Sequence, residues 1–177
     1  MTALVTWWRV PENALYGRFG AFDVQGIVPV AYSMFAVALG VTVGSIFKRV
    51  LPAIATTLGS FVAIRVLIAL YLRPHYMAAK TVSVSMQSAK TGGPPGAWVI
   101  SSGLFGPNGR DYGNNFSFAD IPAPCRDAFL KGRNLSCLSA HGLHEVITFQ
   151  PAARFWTFQG IEAGLFAVLA AGLLLLA

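Results

Sequence analysis

The sequence predicts a mainly α membrane protein in which three transmembrane helices carry a small α+β extracytoplasmic domain between the second and the third. Three observations predict it. Hydrophobic residues make up 55% of the 177-residue chain and charged residues 11%, whereas an average soluble domain is about a quarter charged. The apolar residues gather into blocks at 27–47, 51–72 and 161–177, each long enough at about 1.5 Å per residue to cross, or nearly cross, a hydrocarbon layer roughly 30 Å thick. A long polar stretch punctuated by Gly and Pro separates the second block from the third. Aromatics at 12% exclude a disordered chain. The net charge of +6 comes without a dense Lys/Arg stripe, so no nucleic-acid partner is expected.

Residues 1–26 hold Trp7, Trp8, Leu15, Tyr16, Phe19 and Phe22 among a few charges, a mixture suited to the lipid–water interface. They lack the basic start, apolar core and small-residue cleavage site of a signal peptide, and are read as an interfacial extracytoplasmic segment. Span one, 27–47, contains no charge; Lys48-Arg49 ends it, Pro52 restarts a helix, and 51–72 forms span two, interrupted by Arg65 and closed by Arg73-Pro74-His75. The short turn makes 27–72 a helical hairpin. Span three occupies 159–177, with Glu162 near its start.

The intervening segment, 73–158, is expected to fold. Val82, Val84 and Met86 alternate with polar neighbours as in a half-buried strand, and Trp98–Ser102 and Val146–Phe149 read as two more. Cys125–Leu130 and Ser136–His141 read as short helices, the second stopped by Gly142. Turns are expected at Gly92-Gly93-Pro94-Pro95-Gly96, Gly106-Pro107-Asn108-Gly109 and Ile121-Pro122-Ala123-Pro124.

Orientation follows from positive charge in short loops, which stay cytoplasmic. Lys48-Arg49 in the hairpin turn places the N-terminal segment and 73–158 outside and the C-terminus in the cytoplasm; Arg9 and Arg18 argue the other way. Cys125 and Cys137 then fall in an oxidising compartment, where a disulfide would add roughly 2–3 kcal/mol by closing the loop between them.

No phosphate-binding loop, dinucleotide turn or serine nucleophile elbow is present. No catalytic or cofactor-binding residue is therefore assigned, and any ATP hydrolysis must come from a partner. His141 and His144 downstream of the two cysteines invite a zinc reading, but the cysteines lack the close spacing of a zinc finger. A disulfide beside surface imidazoles is preferred, with no metal ligand assigned. Asn115-Phe116-Ser117 and Asn134-Leu135-Ser136 match the glycosylation sequon, a pattern frequent by chance.

Arg65 and Glu162 are the candidates for intramembrane polar contacts. An unpaired charge at the depth of Arg65 costs about 2–3 kcal/mol or more, so it should face a bundle interior, a partner or a water-filled path. One reading pairs it with Glu162; the other lets Arg65 snorkel to the headgroups. Small residues recur at helical spacing in all three spans, at Ala36, Gly40 and Gly44, at Ala55, Gly59 and Ala63, and at Gly160 and Gly164. Such ridges let helix backbones approach closely in lipid.

The run Phe22-Asp23-Val24-Gln25-Gly26-Ile27-Val28-Pro29-Val30-Ala31-Tyr32, the exit Leu72-Arg73-Pro74-His75-Tyr76, the run Cys137–Gly142 and above all Phe149–Glu162 resemble the C-terminal half of bacterial ATP-binding-cassette (ABC) exporter permeases. The resemblance implies a permease subunit that works with a separate cytoplasmic ABC ATPase, and an extracytoplasmic domain before the last helix. Members carry about six spans, so this chain corresponds to a truncated or split subunit completed by other permease helices or a second permease copy. The expected function is that of a membrane-spanning exporter component in the cell membrane. The alternative is a membrane-anchored sensor or interaction protein whose extracytoplasmic domain binds a ligand.

Overall fold

The structure, a computed structural model, describes residues 2–11, 17–47, 49–85, 94–113, 117–130 and 135–176. Leu15, Tyr16, Lys48, Met86, Gln87, Gly92, Gly93 and the sequon residues Asn115, Phe116 and Asn134 lie outside the described residues. In chain order the described residues form α1 (Thr2–Trp8), α2 (Val28–Ile46), α3 (Val50–Leu67), β1 (Lys80–Ser85), β2 (Trp98–Phe105), α4 (Ala123–Leu130), α5 (Leu135–Ala140), β3 (His144–Gln150) and α6 (Phe155–Leu176). They divide into two compact units, Met1–Ala78 with Ala152–Ala177, and Ala79–Pro151.

The first unit is helical. Its helical stretches Val28–Ile46, Val50–His75 and Ala152–Leu176 are each long and apolar enough to cross a membrane. α2 begins with Pro29 in its first turn, where a missing N–H costs nothing. Its residues Val28, Tyr32, Phe35, Leu39 and Val43 fall on one stripe at helical spacing and are buried, and this stripe packs along α6. Phe166 of α6 sits edge-on to Tyr32 and Phe35, with ring centroids 4.8 and 5.2 Å away. The Thr42 hydroxyl lies 3.2 Å from the Leu173 carbonyl, tying the far ends of the two helices.

α3 contrasts with α2, for none of its residues is buried. It continues through a π turn at Ile68–Leu72 into a 3₁₀ turn at Arg73–His75. α6 starts at Phe155, earlier than hydropathy suggests. Gln159 and Glu162 lower the local hydropathy but are 0% and 1% exposed, and the fold gives both buried polar partners. The aromatic residues of the N-terminal segment separate by role. Trp7 and Trp8 are exposed, while Phe22 is buried and Phe19 packs edge-on against Phe155 and Phe158 at 5.6 Å.

Of the small-residue ridges, Gly40 meets α3, a Cβ built on it standing 3.9 Å from Thr57 Cγ2, while most of the others lie away from the contacts between these helices. Gly44, Ala55, Gly59, Ala63, Gly160 and Gly164 are exposed, and nothing lies within 4 Å of a Cβ built on Gly44, Gly59, Gly160 or Gly164. Large apolar side chains fill the α2–α6 seam instead. Ala36 and Gly40 face α3 across a hollow of about 470 Å³ lined also by Ala53, Ile54, Thr57, Leu58 and Phe61.

The second unit is a three-stranded antiparallel sheet in the order β1-β3-β2 with two short helices. Val82 pairs with Ile147 and Val99 with Phe149, and a register shift between Val99 and Ser101 lets β2 continue to Phe105. Ile121, Cys125, Leu138 and Leu143 form a small buried cluster with Leu104 and Cys137 against it. Cys125 and Cys137 are at disulfide distance, their Cα atoms 5.6 Å apart. Gly142 ends α5 at φ 79°, a left-handed conformation that favours glycine.

Candidate functional site

The helical unit gathers charges from the approach to α2, from the α3 segment and from α6 at one place. Glu162, two turns into α6, is 1% exposed, and an isolated carboxylate buried to that degree would be strongly destabilising. It is fully partnered. Arg73 grips it side-on, Nη2 donating to Oε1 at 2.7 Å and Nε to Oε2 at 2.9 Å, the paired geometry that a guanidinium alone provides. The Tyr32 hydroxyl lies 2.5 Å from Oε1, and the Tyr76 hydroxyl donates to Oε2 at 3.3 Å.

A second carboxylate completes the group. Asp23 Oδ1 accepts from Arg73 Nη2 at 2.6 Å and lies 2.9 Å from the Tyr32 hydroxyl, while Oδ2 is 3.3 Å from Arg65 Nη2. The single proton of Tyr32 serves one carboxylate at a time, and Arg73 Nη2, 3.3 Å from the phenol oxygen, bridges all three acceptors. Two cations and two anions leave the cluster neutral, which limits the cost of holding it at membrane depth. Arg65 lies 4.7 Å over the Tyr32 ring and Arg73 4.3 Å over the Phe22 ring.

The local fold explains the convergence. An ideal helix advances about 100° per residue, which would put Arg73 about 80° round from Arg65. The wider π turn between them advances less per residue and takes back much of that offset, so both guanidiniums reach Asp23. Gly26, at φ 79°, turns the chain into α2; a Cβ there would stand 2.6 Å from Gln159 Oε1. Gln159 occupies that space because α2 has no capping side chain of its own. Its Oε1 accepts from the Ile27 and Val28 N–H groups at 3.0 Å each, and its Nε2 donates to the Phe22 carbonyl at 2.9 Å.

The polar groups outside the spans feel this cluster. Burial alone would raise the Asp23 carboxyl, but the hydrogen bond and charge of Arg73, helped by Tyr32 and Arg65, hold it below the usual carboxylate range. Burial first, and then the negative charge of Glu162, push the Tyr76 phenol up. Asp23 therefore stays ionised, and Tyr76 keeps the proton it donates.

Residues 1–73 match the family described as ABC-2 membrane transporter related. No curated protein and no solved structure matches the chain. The match supports a likeness to the ABC-2 type permease family over these 73 of the 177 residues, and the three membrane-capable helices fit a multi-pass membrane protein. It takes in Asp23, Tyr32, Arg65 and Arg73 but stops short of Glu162. The Phe149–Glu162 run, on which the resemblance to exporter permeases leaned most, lies beyond it.

The sequence reading placed Arg65 and Glu162 in polar contacts, and the structure brings both to one cluster with the pairing exchanged. Arg65 pairs with Asp23, and the cation on Glu162 is Arg73. The Arg65 guanidinium is over the Tyr32 ring, whose hydroxyl reaches Glu162 in its place. Asp23, Tyr32, Arg73, Tyr76 and Gln159 were not assigned from sequence. Arg73 read as a flank closing span two and Asp23 as one more charge of an interfacial segment. The available signal was parity, since each buried charge needs an opposite one near the same end of another span.

Proposed function

We propose that the chain is a membrane-spanning permease component of an ABC-type exporter, driven by ATP hydrolysis on a separate cytoplasmic ABC ATPase and acting together with other permease helices or a second permease copy. The observation that carries this reading is the Arg73–Glu162 clamp with Asp23, which ties the entry to α2, the end of the α3 segment and the start of α6 together within a region largely covered by the ABC-2 match. A bundle that rocks between states needs one end held rigidly, and a neutral, fully hydrogen-bonded cluster supplies that. α3, with no buried residue and a hollow at its side, leaves a face for further helices.

In this reading the N-terminal segment and the 73–158 domain are extracytoplasmic and the C-terminus is cytoplasmic. The charge cluster then sits at the outer end of the bundle and Arg49 at the inner turn. The small residues exposed on α3 and α6 pack against the added helices. The protein contributes no catalytic group of its own.

The test is affinity purification of the full chain in mild detergent from its native cell. Recovery of a nucleotide-binding subunit, with ATPase activity reduced in Arg73→Met relative to wild type, is expected. Recovery of a lone chain, or of a regulator or kinase in place of an ATPase, overturns the reading. Accessibility of cysteines placed at Ser102 and Ser45 to an impermeant thiol reagent on intact cells tests the orientation: Ser102 should label and Ser45 should not.

A further inference from the structure

The sheet unit holds a second group of chemically able side chains that a permease role leaves unused. Cys137 lies on α5 and His141 follows four residues later, just before Gly142 at φ 79° ends the turn. Cys125 arrives from α4 and is fully buried. Their ligand atoms all lie within 4.8 Å of one another. His141 Nδ1 is 3.4 Å from Cys125 Sγ and 3.9 Å from Cys137 Sγ.

A tetrahedral zinc site, with Zn–S of about 2.3 Å and Zn–N of about 2.0 Å, has S···N edges of about 3.5 Å and an S···S edge of about 3.8 Å. Both S···N edges are already close to those lengths. Only the S···S edge is wrong, because the sulfurs are joined, and reduction is the step that lets them part. We propose that Cys125, Cys137 and His141 form a redox-gated site for a divalent cation of the zinc class, closed as the disulfide and competent as the dithiol.

A dithiol reductant supplies the electrons. Its thiolate attacks the sulfur of Cys137, the more accessible of the two, forming a mixed disulfide and releasing the Cys125 thiolate. The second thiol of the reductant then displaces Cys137 and leaves as a cyclic disulfide. The protein disulfide gains two electrons and two protons in the exchange. Cation binding expels the two thiol protons. In the disulfide form His141 Nδ1 donates to the Cys137 carbonyl at 2.9 Å; on binding, that proton moves to Nε2 and the Nδ1 lone pair turns to the metal. The imidazole is exposed, so water takes the fourth position.

The experiment is a Co²⁺ titration of the full chain in detergent, reduced with a phosphine under anaerobic conditions, followed by displacement with Zn²⁺. Expected are a thiolate-to-cobalt charge-transfer band saturating at one equivalent, its loss on adding Zn²⁺, and no band in the oxidised chain. His141→Ala should weaken Co²⁺ binding about tenfold or more, while His144→Ala, whose Nδ1 faces the Gly142 carbonyl at 3.0 Å, leaves it unchanged. The proposal is overturned by a reduced chain that yields no such band, by equal binding in the oxidised chain, or by His141→Ala binding as tightly as wild type. Circular dichroism covers the case in which reduction unfolds the sheet unit: refolding on adding Zn²⁺ supports the site, and failure to refold overturns it.

Discussion

The two units hold themselves together by opposite means. The helical unit closes on a neutral cluster of buried charges, and its only links between distant helices are non-covalent. The sheet unit has a buried cluster of four residues and a covalent crosslink between its helices. Between helices in lipid there is no hydrophobic driving force, so packing and polar complementarity must select the partner face. A small, polar sheet unit buries too little for its core to suffice, and closing a loop covalently compensates by restricting the unfolded chain. The difference teaches where each unit is vulnerable: one to loss of a single charge, the other to reduction.

The largest effect is expected from Arg73→Met. It leaves Glu162 buried without its cation, which should destabilise the helical unit by about 3–5 kcal/mol. Hydrogen exchange in detergent should rise across α2 and α6 and stay unchanged in β1–β3; a rise in the sheet instead would break the comparison. Next comes Cys137→Ser, with a loss of about 2–4 kcal/mol confined to the sheet unit, read by thermal unfolding with and without reductant. Reductant should lower the wild-type transition and leave that of the variant unmoved.

Gln159→Leu removes the acceptor for the Ile27 and Val28 N–H groups and should cost about 1–3 kcal/mol through buried donors left unpaired. Exchange of those two amides should quicken before that of the α2 interior. The smallest effect belongs to Asp23, whose side chain is 36% exposed. Its folded carboxyl lies below its ordinary value, so its contribution is present above the unfolded pKa of about 3.9 and is lost as pH falls through the lower folded value. Asp23→Asn should remove that acid-side decline at a cost of about 1 kcal/mol or less near neutrality. An unchanged acid profile in this variant would assign the decline to other carboxylates.

Much of the fold was legible because lipid crossing imposes a coarse and local requirement, an unbroken apolar run, that any window of sequence reports. Strand alternation at Val82 and Val84 and the helix stop at Gly142 were legible for the same reason. The start of α6 was not. Gln159 and Glu162 lower the hydropathy at the head of span three, and the partners that let the helix begin earlier, at Phe155, lie more than eighty residues away in sequence. Arg65 stood out because it interrupts a span. Arg73, with the more buried role, passed as an ordinary basic flank.

By itself the sequence determined that three stretches suit a bilayer, that a polar folded segment separates the last two, and that two charges sit where charge is costly. These follow from composition and period, which are properties of neighbouring residues. Which cation meets which anion, that Gln159 caps a helix it does not belong to, and that His141 stands beside both sulfurs were decided only in three dimensions. Such pairings depend on distances between side chains brought together by the turn at Gly26, the π turn before Arg73 and the stop at Gly142, and no local pattern encodes those distances.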